Sequence, residues 1–271
     1  MDIDGETKIF GVVGDPIKQV KTPTHINSIF QLRGSNTVCM PFHVTSGAFE
    51  DFWHGMKACQ NIIGFGITVP HKKAAMQLCD TLSPRARKIG VVNVVRRQID
   101  GTFHGDIFDG VSFVAGLKAE GFDPKGHKIY MYGAGGAATA IGFALAGSGV
   151  ESITIQNRTR QHADDLALLI SEQSGFKQIE TTDNFVDTAT MIINASCLGM
   201  NENDPLPVDP SLLNSSQIIA EVVAKPEVTK FLRAAEEIGC PVHSGIHMIT
   251  NQMNIMADFV EGKMSLESNI E

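Results

Sequence analysis

The run Tyr130-Met131-Tyr132-Gly133-Ala134-Gly135-Gly136-Ala137-Ala138 constrains this chain more than any other stretch. A strand-like segment feeds a glycine turn, and a helix of small residues, Thr139 to Leu145, comes immediately after. That order of elements brings unpaired backbone N–H groups and the positive end of a helix dipole to a place where a pyrophosphate can sit. Gly133 suits the tight turn, Gly135 lets the backbone approach the phosphates, and Ala138 keeps the helix close to its strand. Small-residue turns of this kind also occur in sheets that bind nothing, so the motif gains its weight from the next strand and the residues at its end.

That strand-like run, Ser152 to Gln156, ends in Asn157-Arg158-Thr159-Arg160. A site for an unphosphorylated ribose places Asp or Glu about 20 residues past the glycines. Here an amide and two arginines stand instead. A carboxylate repels a 2′-phosphate, whereas guanidinium groups pair with it in a fork. Charge therefore favours NADP over NAD. The structural alternative is that Arg158 and Arg160 merely begin a solvated helix face.

The length of 271 residues allows one large or two modest domains. A net charge of −8 argues against a surface for nucleic acid or anionic membrane, so an anionic ligand must be held by local positive groups. No apolar run reaches about 18 residues, and the start, Met1-Asp2-Ile3-Asp4, is acidic rather than signal-like. The five cysteines are scattered, with no Cys-x-x-Cys pair, and the nine histidines show no metal-like clustering. A reduced, cytoplasmic protein without a metal is expected.

Strand signals at Lys8–Gly14, Thr37–Phe42 and Ile62–Val69 alternate with helix signals at Pro23–Arg33, Phe49–Cys59 and Lys72–Asp80. Val91–Arg97 and Thr102–Asp106 read as two strands joined by the Asp100-Gly101 turn. A linking helix, Val111–Glu120, then opens a second strand–helix alternation that runs to about Cys240, as in a parallel sheet with crossover helices. A last helix follows Gly245. The expected domains are 1–109, completed by 245–271, and 110–244.

Thr68-Val69-Pro70-His71-Lys72 lies at the carboxyl end of an apolar strand, where open α/β sheets bind ligands. Lys72 begins a helix, a placement unfavourable to the dipole that leans against a purely structural role. Asp109 sits where the first domain hands over to the second, with Asp106 as a competing acid. A lysine and a carboxylate facing one hydroxyl can carry its proton while a nicotinamide takes the hydride. Asn93 could hold a substrate hydroxyl or cap a turn, and Gln252 could bond a polyol or be solvated. Asn194-Ala195-Ser196 ends an apolar strand, and its small residues suit close approach of the nicotinamide half. His71, His247 and Cys197 have no partner at a nucleophile or metal spacing.

In fixed order the chain carries Gly14-x-Pro16-Ile17, Thr22-Pro23-x-x-x-Asn27, Thr68-x-Pro70-x-Lys72, Gly90-x-Val92-Asn93 and Gly105-x-x-x-Asp109-Gly110. Gly133-Ala134-Gly135-Gly136-Ala137, Asn157-Arg158-Thr159, Asn194-Ala195-Ser196-x-x-Gly199-Met200 and Gly245-x-x-Met248-x-x-x-Gln252 complete the series. Together these segments resemble the shikimate dehydrogenase family over nearly the whole chain. The resemblance implies an α/β fold with an amino-terminal substrate domain, completed by the carboxy-terminal helix, and a Rossmann-like NADP domain beyond a mobile cleft. It implies interconversion of shikimate and 3-dehydroshikimate, on the chorismate route of aromatic amino acid biosynthesis. Lys72 and Asp109 would handle the proton, and Asn93, Gln252, Thr68, Thr22 and Val20 would line the substrate. Gly133, Ala134, Gly135, Gly136, Ala137, Asn157, Arg158, Thr159, Arg160, Ser196 and Gly245 would hold the cofactor. The partner is then a small alicyclic hydroxy acid, bound by a monomer or homodimer.

The departures from the family pattern concentrate on the substrate side. Its Ser-x-Ser before the early proline reads Val20 and Thr22, so one carboxylate-holding hydroxyl is gone. Losing a hydrogen bond to a charged group costs about 1.5–3 kcal/mol, and Lys18 or Lys21 could replace it. The family's Asn-Thr before the aspartate reads Ile107-Phe108, which is expected to remove polar contacts and add bulk. Its late tyrosine is Ala224, in Glu221-Val222-Val223-Ala224, and Val94 replaces a threonine. A competent dehydrogenase with an altered substrate preference is expected. The alternatives are a quinate or other polyol-carboxylate dehydrogenase using NAD or NADP, and a non-catalytic dinucleotide sensor. Keeping both Lys72 and Asp109 speaks against the sensor.

Overall fold

The computed structural model describes residues 2–18, 20–185 and 187–264, and the end of the expected carboxy-terminal segment, 265–271, lies outside them. The described residues form two compact units, one of residues up to Phe108 together with 252–264, the other of Asp109–Asn251. Each is built on a six-stranded sheet.

In the first unit the order is β1 (Lys8–Gly14), α1 (Thr22–Leu32), β2 (Thr37–His43), α2 (Phe49–Ala58), β3 (Ile62–Ile67) and α3 (Lys72–Leu78). It continues with β4 (Thr81–Leu82), α4 (Pro84–Ile89), β5 (Val94–Arg97) and β6 (Phe103–Asp106). Pro23 lies in the first turn of α1, where its missing N–H costs nothing. Periodicity alone does not show the short β4 and α4; Ser83, between them, caps the helix by accepting from the Ala86 N–H at 3.1 Å. The sheet runs β2-β1-β3-β5-β6-β4. β1, β2 and β3 are parallel, whereas β5 is antiparallel to both β3 and β6. The carboxyl ends of β1, β2, β3 and β6 therefore share one edge with the amino end of β5. Phe10, Phe30, Phe49, Trp53, Phe65 and Phe103 are all buried in this unit.

The second unit starts with α5 (Asp109–Ala119) and proceeds through β7 (Lys128–Tyr132), α6 (Gly136–Gly147), β8 (Ser152–Gln156), α7 (Arg160–Ser174) and β9 (Ile179–Thr181). β10 (Met191–Asn194), β11 (Ile218–Glu221), α8 (Lys230–Ile238) and β12 (Val242–His243) complete it. The strands are all parallel in the order β12-β11-β10-β7-β8-β9. Alternate residues serve opposite faces, as a strand covered on both sides requires. Ile129, Met131, Met191 and Ile193 join a core with residues of α5, α6 and α7, while Tyr130, Ile192 and Ile219 join another with residues of α8.

The final helix, α9 (Ile246–Val260), belongs to both divisions of the chain. Its first turn stays with the second unit: a Cβ on Gly116 would lie 3.1 Å from the His247 carbonyl carbon, and His247 pairs with Glu120 at 3.3 Å. Its later turns belong to the first unit, where Phe259 packs on Phe108 and Arg33 binds Asp258 and Glu261 at 2.9 and 2.8 Å. The division thus falls at Asn251/Gln252, within the helix rather than at the Gly245 turn that the sequence motifs mark.

α5 and α6 cross with no room to spare at Gly110, where an added Cβ would stand 2.0 Å from the Ala140 carbonyl oxygen. Gly110→Ala should therefore destabilise by about 1–3 kcal/mol through overpacking, read as a fall in thermal midpoint of about 2–4 °C per kcal/mol. An unchanged midpoint would mean that the helices separate at no cost.

Candidate functional site

The shared edge of the first sheet carries those sequence-predicted substrate residues that belong to the first unit, and Asp109 opens the second. Val20 and Thr22 follow β1, Thr68 and Lys72 follow β3, Asn93 precedes β5, and Asp109 follows β6. Backbone bonds fix their spacing. The Val92 N–H donates to the Lys72 carbonyl at 3.2 Å, and the Ile67 N–H to the Asn93 carbonyl at 2.8 Å. The Asn93 N–H donates to the Asp106 carbonyl at 3.0 Å, while its side-chain Oδ1 accepts from the Phe108 N–H at 3.0 Å. Asp109, the first residue of α5, comes next in the chain. Asn93 and Asp109 are buried, and Thr22, Thr68, Lys72, Val20 and Gln252 are partly exposed. Gln252 lies on α9 at the return to the first unit.

Asp106, the competing acid, is spoken for. Its Oδ1 accepts from Ser83 Oγ at 2.5 Å, from Arg85 Nε at 2.7 Å and from the Ile107 N–H at 2.7 Å, and its Oδ2 accepts from Arg85 Nη2 at 2.6 Å. A carboxylate so clamped is structural. The same guanidinium lies 4.9 Å from the centre of the Phe108 ring, whose edge meets Phe259. Ile107 and Phe108 are both buried, and the expectation that Phe108 adds bulk to a substrate wall is corrected, because its ring packs within the first unit on Arg85 and Phe259. His71 is also structural, bonding the Val44 carbonyl through Nε2 at 2.6 Å and stacking on Phe49.

In the second unit, β7 pairs with β8 on one side and β10 on the other, so the strand order reverses at its carboxyl end. Open α/β sheets bind their ligands at that switch point. Gly133 turns there with φ +125°, and a Cβ would meet the Ala195 carbonyl oxygen at 2.8 Å. Nothing lies within 4 Å of where a Cβ on Gly135 or Gly136 would stand. α6 starts at Gly136 with Ala137 in its first turn and no side-chain cap on its N–H groups, and Ala134 packs against the core beneath. This cradle fits a dinucleotide pyrophosphate.

The basic segment after β8 divides. Arg160 is held by Asp164 at 2.9 Å, by Asp183 at 2.7 Å and by Thr181 at 2.8 Å. Arg158 is exposed and has no ion pair among the described residues. Asn157 donates to the Thr159 carbonyl at 2.9 Å, which shapes the turn into α7. The Ser196 hydroxyl donates to Asn194 Oδ1 at 2.6 Å and accepts from the Leu198 N–H at 3.2 Å, tying the loop after β10 to itself. Gly245 packs on the segment after β11, where a Cβ would lie 2.4 Å from the Val222 carbonyl.

Two buried groups escape sequence reasoning. Glu221, at the end of β11, has no exposure, and burial pushes its carboxyl up to about 7 against the opposing bonds from Thr229 and Asn194. His243 is buried between Phe113 and Phe122 and stacks on His247; burial, aided by that second ring, pulls it down to about 4. Glu221 opens the late-strand motif Glu221-Val222-Val223-Ala224, which marks the position but not its burial, and His243 occupies no motif position, so only the apolar context of each strand end could have signalled burial. Among the described residues no cluster of three or more His, Cys, Asp or Glu is disposed to hold a metal, and no helix is long and apolar enough to cross a membrane.

Comparison with known proteins identifies the family and its fold. Residues 12–95 match the shikimate dehydrogenase substrate binding domain, and residues 117–199 match the shikimate / quinate 5-dehydrogenase model. The chain is 37% identical to the NADP(+) shikimate dehydrogenase of Caldanaerobacter subterraneus subsp. tengcongensis, over 93% of this chain and 91% of that one. A crystal structure of a shikimate dehydrogenase in complex with NADP+ superposes with a TM-score of 0.90 at 30% identity, covering 96% of this chain and 92% of the other. The ligand-free 5-ketofructose reductase of a Gluconobacter strain superposes with a TM-score of 0.89 at 29% identity, covering 96% and 94%.

Glu221 and His243 pull stability in opposite directions with pH. The folded state holds the Glu221 proton from the unfolded value of 4.5 up to about 7, so stability falls as pH rises through that window. It resists protonation of His243 from 6.5 down to about 4, so stability rises with pH there. In the parent protein the two slopes largely offset. Glu221→Gln should leave a thermal midpoint that climbs between pH 4 and 6.5, and His243→Phe one that declines between pH 4.5 and 7. Parallel midpoint curves for both variants and the parent would refute the assignment.

Proposed function

Because the chain belongs to the shikimate dehydrogenase family, we propose that it is an NADP-dependent dehydrogenase interconverting shikimate, or a closely related cyclic hydroxy acid, with its keto form. The observation that carries this reading is the hydrogen-bond chain Lys72–Val92–Asn93–Phe108, which fixes the lysine and the residue before Asp109 on one sheet edge. Oxidation of a secondary alcohol removes a hydride from carbon and a proton from oxygen. Bound NADP supplies the hydride acceptor. Lys72 and Asp109 take up the proton and return it in the reverse direction. Asn93, Gln252, Thr22 and Thr68 orient the substrate hydroxyls and carboxylate, with Val20 beside them. In the second unit the Gly133–Ala137 turn holds the pyrophosphate, Arg158 reads the 2′-phosphate with Asn157 and Thr159 around it, and Arg160 braces that turn through its carboxylates. Ser196 and Gly245 border the nicotinamide half.

This activity belongs to the chorismate route of aromatic amino acid biosynthesis, carried out by a cytoplasmic monomer or homodimer. A second reading, reduction of a polyhydroxy ketone without a carboxylate, has one point in its favour: Val20 offers no hydroxyl, and a ketose reductase is among the similar structures.

Lys72→Ala should lower kcat about 10²- to 10⁴-fold with the fold intact; an unchanged rate of alcohol oxidation would remove Lys72 from the chemistry. Arg158→Ala should raise KM for NADP by about 10- to 100-fold, the equivalent of a charge-assisted hydrogen bond, while KM for NAD holds. Equal losses with both cofactors would mean that Arg158 does not read the extra phosphate. Val20→Ser should lower KM for shikimate and leave a neutral ketose unaffected; a panel of shikimate, quinate and 5-ketofructose separates the two readings.

A further inference from the structure

We propose that Glu221 is a positioning residue for the cofactor end of the second unit: through Asn194 and Thr229 it sets the course of the Ala195–Met200 loop. The inference rests on the reading above that this loop borders the nicotinamide half. Glu221 and Asn194 end neighbouring strands in direct register and are both fully buried. Asn194 is the spine of the loop. Its carbonyl accepts from the Val222 N–H at 3.0 Å, its Nδ2 donates to the Leu198 carbonyl at 2.9 Å, and its Oδ1 accepts from the Ser196 N–H at 3.2 Å and from the Ser196 hydroxyl at 2.6 Å. Glu221 stands directly beside Asn194 in the sheet, and the Asn194 side chain is one of the groups that oppose the upward pull of burial on the Glu221 carboxyl.

On its other side Glu221 Oε2 accepts from Thr229 Oγ1 at 3.0 Å, and the same hydroxyl caps α8 by accepting from the Leu232 N–H at 3.2 Å. Thr229 is the floor on which the loop rests: its Cγ2 stands 3.1 Å from where a Cβ on Gly199 would be, and Gly199 has φ +100°. Farther along, residues 199–202 and 204–207 border a groove of about 380 Å³ lined also by Pro226, Val228 and Arg233. The supported face of the loop is therefore the one that Glu221 and Thr229 hold. The remaining oxygen, Oε1, is buried without a hydrogen-bond partner among the described residues. A buried acid with an unmet oxygen is costly to keep for packing alone. Burial keeps much of the group neutral near pH 7, and glutamine then reproduces its shape and bonding.

The test uses the full chain and titrates NADPH by fluorescence alongside steady-state kinetics. Glu221→Leu should weaken NADPH binding at least tenfold and lower kcat, while KM for shikimate stays within twofold. Glu221→Gln should restore NADPH binding to within about threefold of the parent. Thr229→Val should shift NADPH binding in the same direction as Glu221→Leu, and it carries the test if the leucine variant does not fold. Variants that lose thermal stability yet bind NADPH like the parent would overturn the inference alone. A parent protein that binds no NADPH would overturn the functional reading and this inference with it.

Discussion

The first unit depends on one buried amide. Asn93 joins the ends of three strands at once: its carbonyl receives the Ile67 N–H of β3, its N–H bonds the last residue of β6, and it leads into β5. Its side chain then captures the Phe108 N–H at 3.0 Å. A side chain that spans sheet and connector can bond only if both are in place, so formation of the mixed sheet and placement of the residue before Asp109 become a single event. Removing that acceptor would leave a buried N–H without a partner, a penalty of about 1–3 kcal/mol, and would release the segment that introduces Asp109.

The second unit solves the equivalent problem with the same residue type. Asn194 closes β10 and ties its own loop through both ends of its amide, with Glu221 and Thr229 behind it. Both amides stand at sheet edges where the ladder stops supplying backbone partners, and there a short polar side chain must replace it. The glycines beside them answer a different demand. Gly133 rests on the Ala195 carbonyl and Gly199 on Thr229, so in each case a backbone approach that a methyl group would block sets the turn. Within each unit, strand end, amide and glycine fix the course of the backbone at the sheet edge.

Much of this was legible in the chain itself. The Gly-x-Gly-x-x-Ala turn after β7, the parallel alternation of the second unit and most helices of the first can be read from periodicity and glycine placement, because those elements are buried on defined faces. Short elements were not legible: β4 and α4 depend on Ser83 serving both as a helix cap and as a partner of Asp106. The fate of Arg160 was also hidden, since its partners Thr181 and Asp183 arrive from a strand end many residues away. Phe108 misled for a related reason. A bulky residue next to a polar motif reads as a pocket wall until Arg85 and Phe259, both remote in sequence, are seen enclosing it.

That enclosure bears on how this sequence tolerates its departures. Replacing polar residues with Ile107 and Phe108 would be expensive if their side chains met substrate, because hydrogen bonds to bound hydroxyls would be lost without return. Both are buried and so remove apolar surface from water, at about 25 cal/mol per Å², and Phe108 gains a guanidinium over its face. The segment Asp106–Phe108 is then held through one ion pair, two backbone N–H bonds and one ring, none of which needs the residue types it replaced. Val20 differs in kind. It is partly exposed on the loop after β1, with no such core to absorb it, so its effect must fall on whatever that loop binds. Val20 and Ala224, each partly exposed in the segment after a strand, are therefore the family departures whose consequence is chemical rather than architectural.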